Sequence, residues 1–209
     1  MCSSDLALKL RAQMVAGETV IVLGATGAAG KLAVPIAKIL GAKRVIAVGR
    51  NLKTLQQLQS HGADEIVSLH QSDDALMKTL RAASGLDSPD GGVNIVLDYL
   101  WGRPADCLIQ ALAKKGLTGA SPRIRFIQIG DSAGKTIPLA GALLRSSAIE
   151  IIGSGAGSFR LDGIADELGL LLQNVATHKL HIDTAVEPLS NVEAAWNQDH
   201  GGKRVLFRI

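Results

Sequence analysis

The stretch VIVLGATGAAGKL, Val20–Leu32, sets an apolar run against three evenly spaced glycines, Gly24, Gly27 and Gly30. TVIVL at 19–23 has the β-branched composition of a buried strand, and the residues after Gly27 take up helical spacing. A strand, a glycine turn and a helix in immediate succession suit phosphate binding. One glycine permits a tight bend, another lets backbone approach a pyrophosphate, and the last lets helix and strand pack closely. The helix N-terminus adds free N–H groups and partial positive charge. Glycine spacing alone also fits a plain tight turn, so the surrounding chain has to decide.

Working outward, RVIAV at 44–48, EIVSL at 65–69, VNIVLD at 93–98, IRFIQI at 124–129 and AIEIIG at 148–153 are further strand-like runs. Between them, 28–40, 52–60, 72–83, 104–115, 138–146 and 160–178 carry apolar residues at helical spacing, as in Leu52, Leu55, Leu58 or Leu108, Ile109, Leu112. This alternation predicts an α/β fold, a doubly wound six-stranded parallel Rossmann sheet. The strands are nearly continuous in hydrophobicity, as strands buried on both faces should be. With 47% hydrophobic but only 3% aromatic residues, the core must be built from Ala, Val, Ile and Leu. Pro35 is expected to bend the first of these helices, because it removes a hydrogen bond to the Lys31 carbonyl. Residues 179–209 read as strand, short helix, strand and leave the alternation.

Composition narrows the function classes. The net charge of +3 is dispersed, so no nucleic-acid footprint is expected. Cys2 and Cys107 are too few for a disulfide framework or a four-cysteine zinc site and suit a reducing cytoplasm. No apolar run approaches the ~20 residues that span a bilayer, and no secretion signal is expected at the N-terminus. MCSSDL, 1–6, shows no helical pattern, and its reverse translation resembles the tail of a widely used sequencing adapter. These six residues are therefore expected to be foreign to a gene that extends upstream.

The end of the second strand bears on the nucleotide. An NAD-preferring site places an acid there to receive the ribose hydroxyls, whereas this chain has Gly49, Arg50 and Asn51. A guanidinium grips an adenosine 2′-phosphate that an acid would repel, so NADP(H) is the expected cofactor. Lys53, three residues on, offers a second positive charge, and the plainer reading of Arg50 is an exposed surface cation.

At this point the sequence resembles the medium-chain dehydrogenase/reductase superfamily, most closely its zinc-free quinone oxidoreductase branch. The carrying stretches are AGETVIVLGATGAAGKLAVPIAKILGAKRVIAVGR, GADEIVSL, IVLDYLWG, FIQIGDSAG, IIGSGAG and GKRVLFRI, in that order over nearly the whole chain. The resemblance implies that Gly27, Ala28, Ala29 and Gly30, with Gly24 and Thr26, form the pyrophosphate turn, and that Arg50 takes the 2′-phosphate. It places Leu100, Trp101 and Gly102 at the end of the fourth strand. Ile129 and Gly130, then Gly153, Ser154 and Gly155, correspond to backbone lining the nicotinamide.

The resemblance implies a barrel-like substrate domain ahead of the cofactor domain, and that domain is expected to be missing here, because the first strand comes within twenty residues of Met1. Residues 1–17 are then a lead-in helix, 18–178 the NADP-binding domain, and 179–209 the return segment of the substrate domain. The strands of that segment are expected to present an exposed sheet edge, through which a homodimer could form.

Other chemistry is weaker. His178 and His181 form a close pair without a third ligand, so no metal is expected. Arg103, not a lysine, stands four residues after Tyr99, against the acid/base pair of short-chain dehydrogenases. Asp98 can be read as a base, although a carboxylate ending a strand more often caps the following turn, here LWGRPA, and Cys107 reads as a core residue; the catalytic residues remain unassigned. The expected activity is an NADPH-dependent oxidoreductase that moves hydride directly to a small quinone or enone. The alternatives are a catalytically silent NADP(H)-binding module and an atypical short-chain-type reductase or redox sensor.

Overall fold

The computed structural model describes residues 3–88, 92–113, 122–158, 164–178, 180, 182–200 and 203–209. Six parallel strands form one sheet: β1 (Thr19–Leu23), β2 (Arg44–Gly49), β3 (Glu65–Ser68), β4 (Ile95–Asp98), β5 (Ile124–Gln128) and β6 (Ile149–Gly153). Their order, β3-β2-β1-β4-β5-β6, is the doubly wound Rossmann arrangement. After β3 the chain crosses back to lay β4 beside β1, with Val20 opposite Ile95 and Leu23 opposite Asp98. That crossover opens a crevice at the carboxyl ends of the two strands, where ligands bind in such sheets.

Helices cover both faces: α2 (Ala28–Ile39), α3 (Leu52–Gln59), α4 (Asp73–Ser84) and α5 (Gly102–Leu112), followed by α6 (Gly141–Ser146) and α7 (Ile164–His178). Successive strand side chains point to opposite faces, so each strand feeds two cores. Ile21, Leu23, Val96 and Phe126 join Leu76, Leu80, Leu108 and Leu112 on one side. Val20, Val22, Ile95 and Leu97 join Val34, Ile36, Leu55 and Leu58 on the other. This is why the strands lack polar alternation. Each fully buried Leu or Ile contributes about 1.5–3 kcal/mol.

Local signals set the helix ends. Asn51 caps α3, its side-chain oxygen accepting the Thr54 N–H at 3.0 Å. The helix buries Leu55 and Leu58, while Leu52 stays exposed. Gly85 closes α4 in the left-handed conformation, φ +66°. Helix α2 continues through Pro35, flanked by buried Val34 and Ile36.

The opening residues depart from the sequence expectation. Ser3–Leu6 form a helical turn, α1, that runs into a π-helical turn at Ala7–Arg11. Asp5 stands in its first turn and pairs with Lys9 at 3.5 Å, an i,i+4 contact that offsets the missing apolar periodicity. Arg125, buried in β5, ties the chain before β1 to the sheet by donating to the Ala12 carbonyl at 2.6 Å and pairing with Glu18. At the other end, β7 (Thr184–Pro188) and β8 (Arg204–Arg208) form a separate two-stranded parallel sheet, with the short helix α8 (Val192–Trp196) between them.

Candidate functional site

A cleft of about 360 Å³ opens at the carboxyl ends of β1, β2 and β4. Gly24, Thr26, Gly27, Ala28, Ala29 and Gly30 line one side, Gly49, Arg50 and Leu69 a second, and Tyr99, Leu100 and Ser132 a third. The end of β2 anchors the glycine turn, since the Gly24 and Ala25 amides both donate to the Val48 carbonyl at 2.9 Å.

The three glycines of the turn answer to different causes. Gly24 sits at φ +96°, where L side chains are strained, and a Cβ there would meet Leu100 and Tyr99 at 3.1 Å. At Gly30 a Cβ would lie 2.2 Å from the Gly24 carbonyl oxygen, so α2 approaches β1 only because this residue has no side chain. Neither cause applies to Gly27. Its φ of −79° suits any residue, and the nearest atom to an added Cβ is the Gly24 oxygen at 3.5 Å.

Gly27 is the N-cap of α2, and no side chain caps the helix. The amides of Ala28, Ala29 and Gly30 in the first turn therefore have no intrahelical partner, and they carry the positive end of a twelve-residue helix. Across the cleft, Arg50 is exposed at the rim. The arrangement can hold a phosphate group against backbone N–H and a second anionic group against a guanidinium.

Asp98 ends β4 with no exposed surface, and burial pushes its carboxyl up to about 6. Its Oδ1 accepts the N–H of Leu100 at 2.8 Å and of Trp101 at 3.0 Å, the capping role read from the sequence. The Tyr99 hydroxyl lies 2.6 Å from Ser4 Oγ. Cys107 is a buried core residue, and burial raises its thiol.

Of the residues expected at the site, the cleft brings together Gly24, Thr26, Gly27, Ala28, Ala29, Gly30, Arg50 and Leu100. Lys53 stands exposed on the first turn of α3, outside the lining. Trp101 turns its ring edge-on to Phe126, centroids 6.4 Å apart, and Gly102 begins α5. The Ile129 and Gly130 amides donate to the Asp98 carbonyl at 2.8 and 3.1 Å, and neither residue is part of the cleft lining. Gly153 and Gly155 face open space, and Ser154 is buried with its hydroxyl unpartnered among the described residues.

Sequence reading missed Leu69 and Ser132 as lining residues. Leu69 follows β3, and its N–H donates to the Gly49 carbonyl at 2.9 Å; a position just past a strand end was the available signal. Ser132 donates to the Tyr99 carbonyl at 3.1 Å and lies inside the FIQIGDSAG stretch.

Among the described residues no group of three or more His, Cys, Asp or Glu side chains could hold a metal ion. His181 and the side chain of His178 lie outside the described residues. No helix among the described residues is long and apolar enough to cross a membrane.

The profile of the family described as zinc-binding dehydrogenase matches residues 28–164. The protein named "Probable NADPH-dependent quinone reductase tdiC" from Emericella nidulans is 33% identical over 98% of this chain and 58% of its own length. "Quinone oxidoreductase-like protein 2" of Bos taurus is 31% identical over 74% of this chain and 40% of its own length. The crystal structure of a Pseudomonas syringae quinone oxidoreductase superposes with a TM-score of 0.75 at 16% identity, over 99% of this chain and 61% of that one, and so shares the fold. The chain thus spans 58% or less of the curated relatives named here.

Proposed function

Because the chain belongs to the zinc-binding dehydrogenase family, in the quinone oxidoreductase-like branch of the medium-chain dehydrogenase/reductase superfamily, we propose that it binds NADP(H) in this cleft for hydride transfer to a quinone or enone. Gly27 carries the reading. The fold has room for a Cβ there and a backbone that accepts one, so the missing side chain leaves space for something outside the protein. That space adjoins three amides without helical partners, where a pyrophosphate would sit.

Each group has its part. Gly24 and Gly30 let the turn close, Thr26 packs between the turn and Gly49, and the amides of Ala28, Ala29 and Gly30 donate to the pyrophosphate. Arg50, with Lys53 behind it, receives the 2′-phosphate; a hydrogen bond to such a charged group contributes roughly 1.5–3 kcal/mol. Leu100 and Tyr99 form the apolar wall, with Trp101 and Gly102 continuing the turn. Ile129 and Gly130, with Gly153, Ser154 and Gly155, supply backbone along the nicotinamide half. When bound, the cofactor supplies the hydride. The chain orients it and excludes water, a positioning role that requires no acid or base from the cleft. The described residues do not fit zinc.

Residues 179–209 are, in this reading, the return segment of a substrate domain. Their support is a two-stranded sheet, marginal by itself, with Val186, Leu206 and Trp196 exposed. A homodimer through a free sheet edge and a cytoplasmic location, which suits the free, buried thiol of Cys107, complete the proposal.

The test is direct. NADPH should quench tryptophan fluorescence and raise the melting temperature, and adding a quinone or enone should consume it. Absence of binding would overturn the cofactor reading. Binding without consumption would favour the NADP(H)-binding module instead.

A further inference from the structure

We propose that Asp98 is a positioning residue which, through the turn after β4, holds the Tyr99–Leu100–Ser132 wall of the cleft against the glycine turn. The proposal rests on reading the cleft as an NADP(H) site. Asp98 itself does not line it.

A carboxyl group is a costly choice at this position. The rest of β4 is Ile95, Val96 and Leu97, all without exposed surface, and Asp98 is equally buried with its Oδ2 unpartnered among the described residues. Burying an oxygen without a partner works against folding, so what the other oxygen holds has to account for it. Oδ1 takes the amides of Leu100 and Trp101 together.

Those amides belong to a strained turn. Trp101 sits at φ +54°, ψ −157°, a conformation that L side chains rarely adopt, and Gly102 follows at φ +55°. The loop after β5 grips the same turn from the other side. The Ala133 N–H donates to the Leu100 carbonyl at 2.7 Å, and the Ser132 hydroxyl donates to the Tyr99 carbonyl. The Asp98 carbonyl accepts from Ile129 and Gly130, so this one residue joins the exits of β4 and β5.

The turn touches the phosphate cradle. Leu100 and Tyr99 pack where a Cβ on Gly24 would lie, 3.1 Å away, so a shift of the wall is felt at the first glycine. Without the Oδ1 acceptor, Trp101 relaxes toward an ordinary backbone conformation and carries Leu100 with it. The cleft then loses its shape although the sheet beneath is intact.

Trp101 reports on its own turn. The chain has two tryptophans, and Trp196 is 76% exposed, so Trp196→Phe leaves Trp101 as the single emitter. In that background Asp98→Ala should shift Trp101 emission to the red, increase its quenching by acrylamide, and weaken NADPH binding by about tenfold or more. Asp98→Asn keeps the acceptor oxygen and should restore emission and affinity to within about threefold of the parent. Unchanged Trp101 emission in Asp98→Ala, or an Asp98→Asn variant that loses emission and affinity, would overturn the proposal. The Asn variant decides the matter even where the Ala variant fails to fold. A parent chain that binds no NADPH fails the cofactor reading separately, and Trp101 emission still decides whether Asp98 holds the turn.

Discussion

Gly27 and Gly30 sit one helical turn apart and should respond to a methyl group in opposite ways. At Gly30 a Cβ would stand 2.2 Å from the Gly24 oxygen, 2.7 Å from the Ala25 Cα and 2.8 Å from the Gly24 carbonyl carbon, all backbone. The Gly24 oxygen already accepts the Gly27 N–H at 3.0 Å, so it cannot swing aside without opening the turn. Relieving the clash means moving α2 off β1 by about 1 Å, and overpacking of that order costs about 1–3 kcal/mol. For a chain of this length, each kcal/mol lowers the melting temperature by about 2–4 °C, so Gly30→Ala should melt lower by about 2 °C at the least and about 12 °C at the most. At Gly27 the nearest contact is 3.5 Å, and Gly27→Ala risks only the difference between Gly and Ala as N-caps, below about 1 kcal/mol. Its methyl, however, would enter the space that the proposed pyrophosphate site needs. Thermal melts should therefore leave Gly27→Ala within about 3 °C of the parent. NADPH titration should show about tenfold weaker binding for Gly27→Ala and about a hundredfold for Gly27→Val. Gly27→Val binding NADPH like the parent would refute the reasoning, and so would Gly30→Ala melting like the parent.

Arg50→Asp should weaken NADPH by about tenfold to a hundredfold and NADH by much less, since only NADPH carries the 2′-phosphate; equal losses in parallel titrations would remove Arg50 from that role. Asp98 should tilt the stability profile. Its folded carboxyl sits near 6, above the usual 3.8, so the folded state holds the proton more tightly, and the resulting stability is full below pH ~4 and lost as pH rises through ~6. In urea melts the advantage of the parent over Asp98→Asn should therefore grow by about 3 kcal/mol from neutral pH to pH ~4, and a difference independent of pH would contradict the burial of this carboxyl. Leu108→Ala empties a fully buried site between α5 and the sheet, and should cost about 2–5 kcal/mol by the same assay without changing the preference for NADPH over NADH.

The fold was legible because two periodicities coincide with two environments. Strands such as β1 and β4, covered on both faces, have no polar side to show, and Leu108, Ile109 and Leu112 mark the face of α5 that covers them. Where that coincidence fails, reading from sequence fails too. Ser3–Leu6 shows no apolar spacing, and its helical turn is held by an ion pair and by burial. Leu52 keeps the spacing of α3 yet stays exposed, because the stripe runs one turn past the surface it covers. In the cleft, the glycines and Arg50 announced themselves through residue type. Leu69 and Ser132 did not, because they enter by strand order alone, as the first residues past β3 and β5 to reach the crossover. No pattern within the sequence marks Trp101 as strained; its conformation follows from Asp98 on one side and Ala133 on the other.

Strand order also explains why stability should be uneven along the chain. The six-stranded half is enclosed by two cores, and β1 and β4 have neighbours on both edges. The C-terminal sheet has neither advantage. Its strands alternate between exposed and half-buried positions, and each has one neighbour. Its ties to the rest include Leu180 against one core and a 3.9 Å ion pair between Lys31 and Asp183, a contact worth little when both partners reach solvent. Few buried contacts imply low local opening free energy, so the amides of β7 and β8 should exchange with solvent well before those of β1. What would protect them is a partner on the exposed Val186 and Leu206 face. The six-stranded half thus carries two cores of its own, whereas β7 and β8 bury no residue fully.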